Sequence, residues 1–229
     1  MSPLPQLTRE ELDRLPRQAL GKRSAFRPRV WRVETPGGPV VVKDAHENGL
    51  GTRWLARWLI ARERRILERL IEFEGVPHLV GTIRRDAIVL SYVPGQPLDA
   101  ERFRANPRAI FEQILELTQR LHELGVFHLD LHQRKNLLLD DAGRVHLVDF
   151  GAAVAPGRLA LALFGGALRH ADRQAAFKYM ARFAPEGLSE DEARSVLRYR
   201  RIRWMWPFTP HSKRESRAAR VRLSAGRRS

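Results

Sequence analysis

Apolar residues recur along the chain with two different periods, and the shorter period predicts strands. Residues 40–43 are a β-branched run that ends at Lys43, and residues 87–90 are a second apolar run. The Pro-Gly-Gly-Pro sequence within residues 35–39 predicts a hairpin turn before the first run. Residues 137–139 and 145–148 predict two further strands around a polar turn. We therefore expect short strands in two separate parts of the chain.

The longer period, of three to four residues, predicts helices. Residues 51–70 form one such segment, and the positions that share its face are Leu55, Leu59, Glu63, Leu67 and Leu70. Residues 100–124 repeat apolar positions in the same way and stop at a glycine. Residues 168–183 predict a third helix, and capping boxes at Thr8 and Ser189 predict the starts of two more. The pattern therefore predicts both strands and helices in this chain.

Three oxygen-bearing side chains follow one another in an order that suits phosphoryl transfer. Asp130 lies in a His-Leu-Asp sequence, Asn136 follows it, and Asp149 begins an Asp-Phe-Gly sequence. A carboxylate can accept the proton of an attacking hydroxyl, and amide and carboxylate oxygens can hold Mg²⁺ against ATP phosphates. The ordered set resembles the catalytic and metal-binding loops of the protein-kinase superfamily. The resemblance implies that Asp130 is the base or orienter and that Asn136 and Asp149 are the metal ligands.

The catalytic loop departs from the kinase pattern in length. Five residues separate Asp130 from Asn136, one more than in protein kinases. The interval from Asn136 to Asp149 is the usual one for the superfamily, so the insertion is placed before Asn136 and both metal ligands are kept. The alternative is a chance match in a strand-turn-strand segment.

Two residues upstream, Lys43 and Glu63, match further positions of the kinase pattern. Lys43 ends a strand, as the lysine that grips the ATP phosphates does in kinases. Glu63 is the polar residue on an apolar helical face, where a carboxylate is costly unless a cation meets it. The kinase pattern would supply Lys43 as that cation. The alternative is that Glu63 is an ordinary solvated charge, with Glu68 as a rival one turn further along.

The remaining nucleotide contacts are less clearly marked. Residues 87–98 run from an apolar strand into a Pro-Gly turn, which resembles the kinase hinge and implies that backbone groups of Ser91 and Val93 hold the adenine. An edge strand and turn without a ligand is the alternative. The chain has no Gly-x-Gly-x-x-Gly sequence, so the loop that contains Gly21 and Lys22 is expected to contact the phosphates through cations instead of backbone amides. A flexible basic loop would have the same composition.

Composition excludes several classes of protein. The 229-residue chain is 43% hydrophobic and has no cysteine, which excludes a wholly disordered chain, disulfides and thiol-ligated metals. The histidines show no zinc spacing, and His122 and His146 are expected to be structural. The apolar residues 159–168 are too few to cross a bilayer. No signal peptide is recognised at the amino terminus, so a cytoplasmic location is expected.

The resemblance also implies an architecture. The chain is similar to the bacterial lipopolysaccharide core (Kdo/heptose) kinases and the RIO-like kinases. This resemblance implies an α+β class and a two-lobed protein-kinase-like fold with a reduced C-terminal lobe. Ala184-Pro185-Glu186 spells a kinase motif, but it comes late and is interpreted as coincidence. The expected divisions are residues 1–19, an N-terminal helix and extension; 20–90, a small ATP-binding lobe; 91–98, a hinge; 99–193, a helical catalytic lobe; and 194–229, a basic aromatic tail.

Charge points to an anionic partner. The formal net charge is +15, and residues 194–229 hold twelve Lys and Arg against one Glu. Residues 199–208 interleave cations with aromatics, which is typical of segments at a membrane interface; nucleic acid and a merely solvated tail are the alternatives. The sequence therefore predicts an ATP- and Mg²⁺-dependent kinase, peripheral on the inner face of the inner membrane, whose hydroxyl acceptor is a sugar of the lipopolysaccharide core. The alternatives are a RIO-like serine/threonine protein kinase and a nucleotide-binding pseudokinase scaffold.

Overall fold

The structure, a computed structural model, describes the backbone of residues 7–202 and the side chains of residues 7–197. Within this part the chain forms two compact units. The first contains residues 7–94 together with Asp149–Ala153, and the second contains residues 95–148 and 154–202. Strands and helices occur in both units, which confirms the predicted α+β class.

The first unit is built on a five-stranded antiparallel sheet with the order β1-β2-β3-β5-β4. Its strands are β1 (Arg17–Ala19), β2 (Arg29–Thr35), β3 (Gly38–Asp44), β4 (Leu79–Ile83) and β5 (Ala87–Ser91). The predicted hairpin turn lies between β2 and β3, where Thr35 pairs with Gly38. The buried residues of the main apolar cluster are Leu12, Val33, Val40, Val42, Ile83, Ala87 and Val89. The β-branched runs recognised in the sequence therefore supply much of this core.

Two helices accompany the sheet of the first unit. Helix α1 (Arg9–Arg14) starts at the predicted capping box of Thr8, and its Leu12 is fully buried in the core. Arg9 on this helix forms a bidentate ion pair with the buried carboxylate of Asp44 at the end of β3. That contact ties α1 to the strand that carries Lys43, and no sequence pattern predicted it.

Helix α2 (Leu50–Arg69) lies close to its predicted bounds, but its buried face differs from the expected one. Leu55 and Leu59 are only half-buried, whereas Ala56 and Ile60 are buried. The face is thus shifted by one residue in the first half of the helix. The half-buried leucines still fit a 3.6-residue period, so spacing alone could not fix the shift.

The second unit contains the remaining helices and a small antiparallel sheet in the order β6-β7-β8. Its elements are β6 (Gln96–Pro97), α3 (Ala100–Ala105), α4 (Pro107–Glu123), β7 (Leu137–Leu139), β8 (Val145–Leu147), α5 (Arg158–Phe183) and α6 (Glu190–Ile202). Aromatic rings of α3 and α5 pack together in its core, where Phe103 lies 5.8 Å from Phe183 and 6.5 Å from Tyr179 between ring centroids. The capping box at Ser189 is present and precedes α6.

Two predicted helices have wrong bounds. The segment 100–124 is not continuous, because the chain breaks between α3 and α4 at Asn106, whose φ of −151° and ψ of 72° are not helical. Asn106 precedes Pro107, whose ring disfavours a helical conformation in the preceding residue. Helix α5 begins ten residues before the predicted segment 168–183 and includes the apolar residues 159–168. Within residues 7–202, no helix is both long and apolar enough to cross a bilayer.

Candidate functional site

Lys43 is the centre of a buried ion-pair cluster in the first unit. Its ammonium nitrogen lies 2.7 and 2.9 Å from the two carboxylate oxygens of Glu63 and 2.7 Å from Oδ1 of Asp149. Strand β3 presents the lysine and helix α2 presents Glu63, and both residues are buried. The rival carboxylate, Glu68, instead pairs with Arg64 at 3.3 Å on the exposed side of the same helix. The structure thus joins three of the residues that the sequence singled out.

Burial and charge act in opposite directions on the two buried partners. Burial alone would lower the pKa of Lys43, but the negative charges of Glu63 and Asp149 outweigh it and leave the pKa raised. Burial raises the pKa of Glu63, and the Lys43 charge opposes that rise. Lys43 therefore remains an ammonium ion throughout the neutral range, fixed between two carboxyl groups.

The backbone at Asp149 has an unusual conformation that places its carboxylate against Lys43. Asp149 has left-handed φ and ψ of 67° and 71°, a conformation that aspartate adopts more readily than most residues. A short 3-10 turn, Phe150–Ala152, follows it, with the Phe150 side chain fully buried. Arg62 of α2 donates hydrogen bonds to the carbonyl oxygens of Ala152 and Ala153 at 2.8 and 2.7 Å. The helix that supplies Glu63 therefore also holds this turn, a role of Arg62 that the sequence did not reveal.

A second group of predicted residues lies together in the second unit. The Asn136 side-chain nitrogen lies 3.0 Å from both the backbone oxygen and the carboxylate Oδ2 of Asp130. Gln133 donates to the same carboxylate, and His132 Nε2 lies 3.5 Å from its other oxygen. The extra residue of the loop is accommodated by a 3-10 turn over Arg134–Asn136. Asp130 and Asn136 therefore meet despite the longer spacing.

The amide oxygen of Asn136 is the strongest sign of a metal site. It is buried and has no hydrogen-bond partner, whereas the amide nitrogen is fully used on Asp130. A buried, unpaired oxygen is costly to desolvate and is a ligand type that Mg²⁺ prefers. Among the described residues no cluster of three or more His, Cys, Asp or Glu could hold a metal. The Asn136 oxygen is therefore available to a Mg²⁺ ion that takes further ligands from phosphates and water, and the Asp149 carboxylate of the first unit is also a ligand type that Mg²⁺ prefers.

Asp172 of α5 holds the backbone of the loop that precedes Asp130, and it was not among the residues predicted from the sequence. Its buried carboxylate accepts hydrogen bonds from the backbone N–H groups of His128 and Leu129 at 2.8 and 2.6 Å, and lies 3.1 Å from His122 Nε2. His122 is thus structural, as expected. Helical spacing places Asp172 on the face of Tyr179, a polar residue among buried ones, and this was the available signal.

The other histidine expected to be structural lies in the β7–β8 hairpin. His146 Nε2 lies 3.0 Å from the Asp140 carboxylate, which also receives the Arg144 side chain. No metal-ligand geometry involves this histidine among the residues described.

The residues predicted to contact the adenine and the phosphates lie at the end of β5 and on an exposed loop of the first unit. The Ser91 backbone N–H donates to His78 O at 2.9 Å and is therefore already used within the first unit. Val93 follows in an irregular, half-buried segment. Gly21, with φ of 97°, and Lys22 lie exposed on a loop that Asn48 holds through the Ala25 and Arg27 carbonyls. The contacts of these residues with nucleotide stay predictions.

The family of the chain is decided by a match to the family model described as RIO domain, which spans residues 42–162. The chain belongs to the RIO-domain family. The matched range is more than half of the chain and includes Lys43, Glu63, Asp130, Asn136 and Asp149. The resemblance to the protein-kinase-like superfamily and to RIO-like kinases is therefore confirmed, and with it the protein-kinase-like fold.

Curated relatives of this RIO-domain chain are protein kinases, matched over short stretches. It is 33% identical over 86 residues to CBL-interacting serine/threonine-protein kinase 21 of Arabidopsis thaliana, covering 35% of this chain and 20% of the relative. It is 37% identical over 92 residues to CBL-interacting protein kinase 3 of Oryza sativa subsp. japonica, covering 36% of this chain and 20% of the relative. It is 30% identical over 110 residues to mitogen-activated protein kinase kinase kinase 2 of Arabidopsis thaliana, covering 44% of this chain and 17% of the relative. The matches thus span about a fifth of the relatives' length, and they agree with the predicted class, a phosphotransferase with a hydroxyl acceptor.

Proposed function

We propose that this RIO-domain protein is an ATP- and Mg²⁺-dependent kinase that transfers the γ-phosphoryl group to a hydroxyl. The observation that carries the proposal is the buried contact of Lys43 with both Glu63 and Asp149, residues 20 and 106 positions away in sequence. A cation fixed by two carboxylates suits the binding of phosphates, because it stays charged and needs no reorganisation. The unpaired oxygen of Asn136 supports the use of a metal.

Each residue has a role in this proposal. Lys43 contacts the ATP phosphates, and Glu63 fixes the position of Lys43. Asp149 and Asn136 hold Mg²⁺, which neutralises charge on the phosphates when bound. Asp130 orients the acceptor hydroxyl and takes its proton, and the hydrogen bonds from Asn136 and Gln133 hold the carboxylate for that task.

We propose a protein serine or threonine as the acceptor. The RIO-domain match and the similarity to serine/threonine-protein kinases favour it over a sugar of the lipopolysaccharide core. The sugar acceptor rests on the resemblance to lipopolysaccharide core kinases and on the basic aromatic tail, and residues 203–229 of that tail lie outside the described residues. The expected attachment to an anionic inner-membrane surface rests on the same tail.

The proposal is tested by replacing the metal-binding carboxylate. Asp149→Asn should reduce Mg²⁺-dependent transfer of labelled phosphate by at least about 100-fold, since a metal contributes several kcal/mol to such a transition state. Asp141→Asn, in an exposed turn, is the matched control and should retain activity. Transfer is measured to the protein itself, to a general protein acceptor and to purified lipopolysaccharide core.

The acceptor panel separates the alternatives. Phosphoserine or phosphothreonine that disappears in Asp149→Asn supports the protein acceptor, and phosphorylated core glycan supports the sugar. If wild type binds ATP but labels none of the three acceptors, the pseudokinase scaffold replaces the proposal. Activity of a folded Asp149→Asn protein within about threefold of wild type would contradict the assignment of Asp149.

A further inference from the structure

The first unit has a groove on its surface that the proposed catalytic role does not use. The groove has a volume of about 490 Å³ and lies between helix α2 and the β4–β5 hairpin. Its floor is apolar and includes Ile60, Ala87 and Ile88, which are nearly fully buried. An open groove of this size with an apolar floor can accept a large apolar side chain.

Two tryptophans stand on the helix side of the groove. Trp54 and Trp58 are one helical turn apart, and 67% and 54% of their surface is exposed. The Trp54 indole N–H is fixed by the Gly51 carbonyl at 3.0 Å, and the Arg62 guanidinium lies 5.6 Å from the Trp58 ring centroid. Both rings thus have defined positions in spite of their exposure. Tryptophan and arginine are the residues most enriched at the energetic centres of protein interfaces.

Two arginines form the opposite rim at the tip of the β4–β5 hairpin. In residues 7–197 neither Arg84 nor Arg85 has a carboxylate within ion-pair distance, although Arg57 in the same groove pairs with Asp86 at 2.6 Å. Arg84 also has a left-handed φ of 51°, where glycine or asparagine is the usual residue of a tight hairpin. Strained backbone positions cluster at functional sites, and here the strained residue carries a cation without an ion-pair partner among residues 7–197.

We propose that this groove docks an acidic segment of a partner protein, with one bulky apolar side chain of the segment on the groove floor and its carboxylates on Arg84 and Arg85. The apolar floor offers no hydrogen bonds to nucleobase edges. Two of the four arginines that line the groove, Arg57 and Arg64, are already paired with carboxylates, which leaves two cations for a short acidic segment instead of the longer row of cations that a phosphate chain binds. The concave floor also does not match a flat bilayer surface. Residues 203–229 of this chain carry eight Lys and Arg against one Glu, so their charge has the wrong sign for this groove.

The test begins with selection of binders from a library of short random peptides, using the full chain. Acidic peptides with an aromatic or large aliphatic residue should be enriched, and their affinity is then measured by fluorescence anisotropy. Arg84→Ala with Arg85→Ala, and separately Trp54→Ala with Trp58→Ala, should each weaken binding by about tenfold or more. Replacing the apolar residue of the peptide by alanine should have a similar effect.

Matched controls separate docking from general attraction to a basic protein. Arg65→Ala with Arg69→Ala removes the same charge from exposed positions of α2 outside the groove, and Leu159→Ala with Leu163→Ala removes two exposed apolar side chains of α5. Both controls should bind peptide within about twofold of wild type. The proposal is overturned if the Arg65/Arg69 and Arg84/Arg85 variants lose peptide affinity equally, or if the selection does not enrich acidic peptides. So does binding of single-stranded RNA or anionic vesicles that depends on these groove residues while peptides do not bind.

Discussion

At the scale of single residues, the charges of the Lys43 cluster depend on one another. Burial of Lys43 and Glu63 removes them from water, and each is tolerated because the other lies within 2.9 Å. Removal of Lys43 therefore leaves the buried charge of Glu63 without this partner, and removal of Glu63 leaves Lys43 with Asp149 as its remaining carboxylate. This interdependence makes the pair suitable for a test in which a single charge is removed.

Replacement of Glu63 by glutamine should lower the rate of phosphate transfer by about tenfold or more, because Lys43 loses its bidentate anionic partner while the side-chain shape is kept. The measurement is initial rate against ATP concentration. Glu68→Gln, on the exposed side of the same helix, should stay within about twofold of wild type. If both substitutions change the rate equally, Glu63 is an ordinary helix charge without a specific role in phosphate transfer.

Sequence reasoning could select Glu63 but could not find Arg62 or Asp172. Glu63 was visible because a carboxylate interrupts an apolar face, and the strand before Lys43 is strongly β-branched. Arg62 acts on the backbone oxygens of residues 90 and 91 positions away, and backbone acceptors leave no mark in a sequence. Asp172 likewise serves the amides of His128 and Leu129. Side-chain contacts with distant backbone groups therefore account for the missing part of the site.

At the scale of elements, helix and strand types followed from periodicity, whereas their bounds depended on local backbone chemistry. Pro107 divides the predicted segment 100–124, although its apolar spacing continues across the break. The length of helix α5 was underestimated because its first turns expose Leu159, Leu163 and Phe164. Without a polar face, the sequence of these turns does not have the pattern of an amphipathic helix.

Gly95 and Gly166 should respond oppositely to alanine. Gly95 has φ of 134°, and an added Cβ would lie 2.9 Å from the Leu139 carbonyl oxygen, so Gly95→Ala should lower the free energy of unfolding by at least about 2 kcal/mol. Gly166 lies inside α5 with open space around its Cβ position, and Gly166→Ala should raise the free energy of unfolding by about 0.5–1 kcal/mol. Urea unfolding measures both. A neutral Gly95→Ala would show that β6 is not held against β7 as described.

The β7–β8 hairpin should contribute stability that depends on pH. Burial alone would raise the pKa of Asp140, but hydrogen bonds from His146 and from the Arg144 backbone and side chain outweigh it and lower the pKa well below its usual range. Because the folded state lowers the pKa, the contribution is present above the unfolded value of about 4 and is lost as pH falls below it.

Comparison of variants isolates this contribution. Asp140→Asn should be less stable than wild type at pH 7, and the difference should shrink progressively in acid when urea midpoints are compared. The neighbouring Asp141→Asn, at an exposed position, should follow wild type at all pH values. A difference that stays constant down to pH 3 would assign the effect to geometry instead of charge.

At the scale of the whole molecule, the net charge of +15 is concentrated towards the C-terminus, in residues 194–229. If the aromatic and basic composition of this tail serves a membrane, deletion of residues 203–229 should abolish co-sedimentation with vesicles of anionic lipid. Each cation near such a surface contributes about 1 kcal/mol, so added salt should weaken binding of the intact chain. Vesicles of neutral lipid are the control for both proteins.

The aromatic residues of the tail distinguish the possible anionic partners. Trp204→Ala with Trp206→Ala should weaken vesicle binding, since tryptophan anchors segments at headgroup depth. Steep salt-dependent binding to RNA without vesicle binding would instead assign the tail to nucleic acid. If neither sediments with the protein at physiological salt, the tail is a solvated extension.

The support of the catalytic loop by Asp172 also has a consequence for the order of folding. Leu129 has a left-handed φ of 62°, which is unfavourable for a branched side chain, and its amide is held by a carboxylate 43 residues further along the chain. The bend before Asp130 therefore cannot be secured until helix α5 is in place, so the loop should acquire its final shape late. In native-state hydrogen exchange, the His128 and Leu129 amides should become accessible together with the opening of α5 and not with local fraying of the loop.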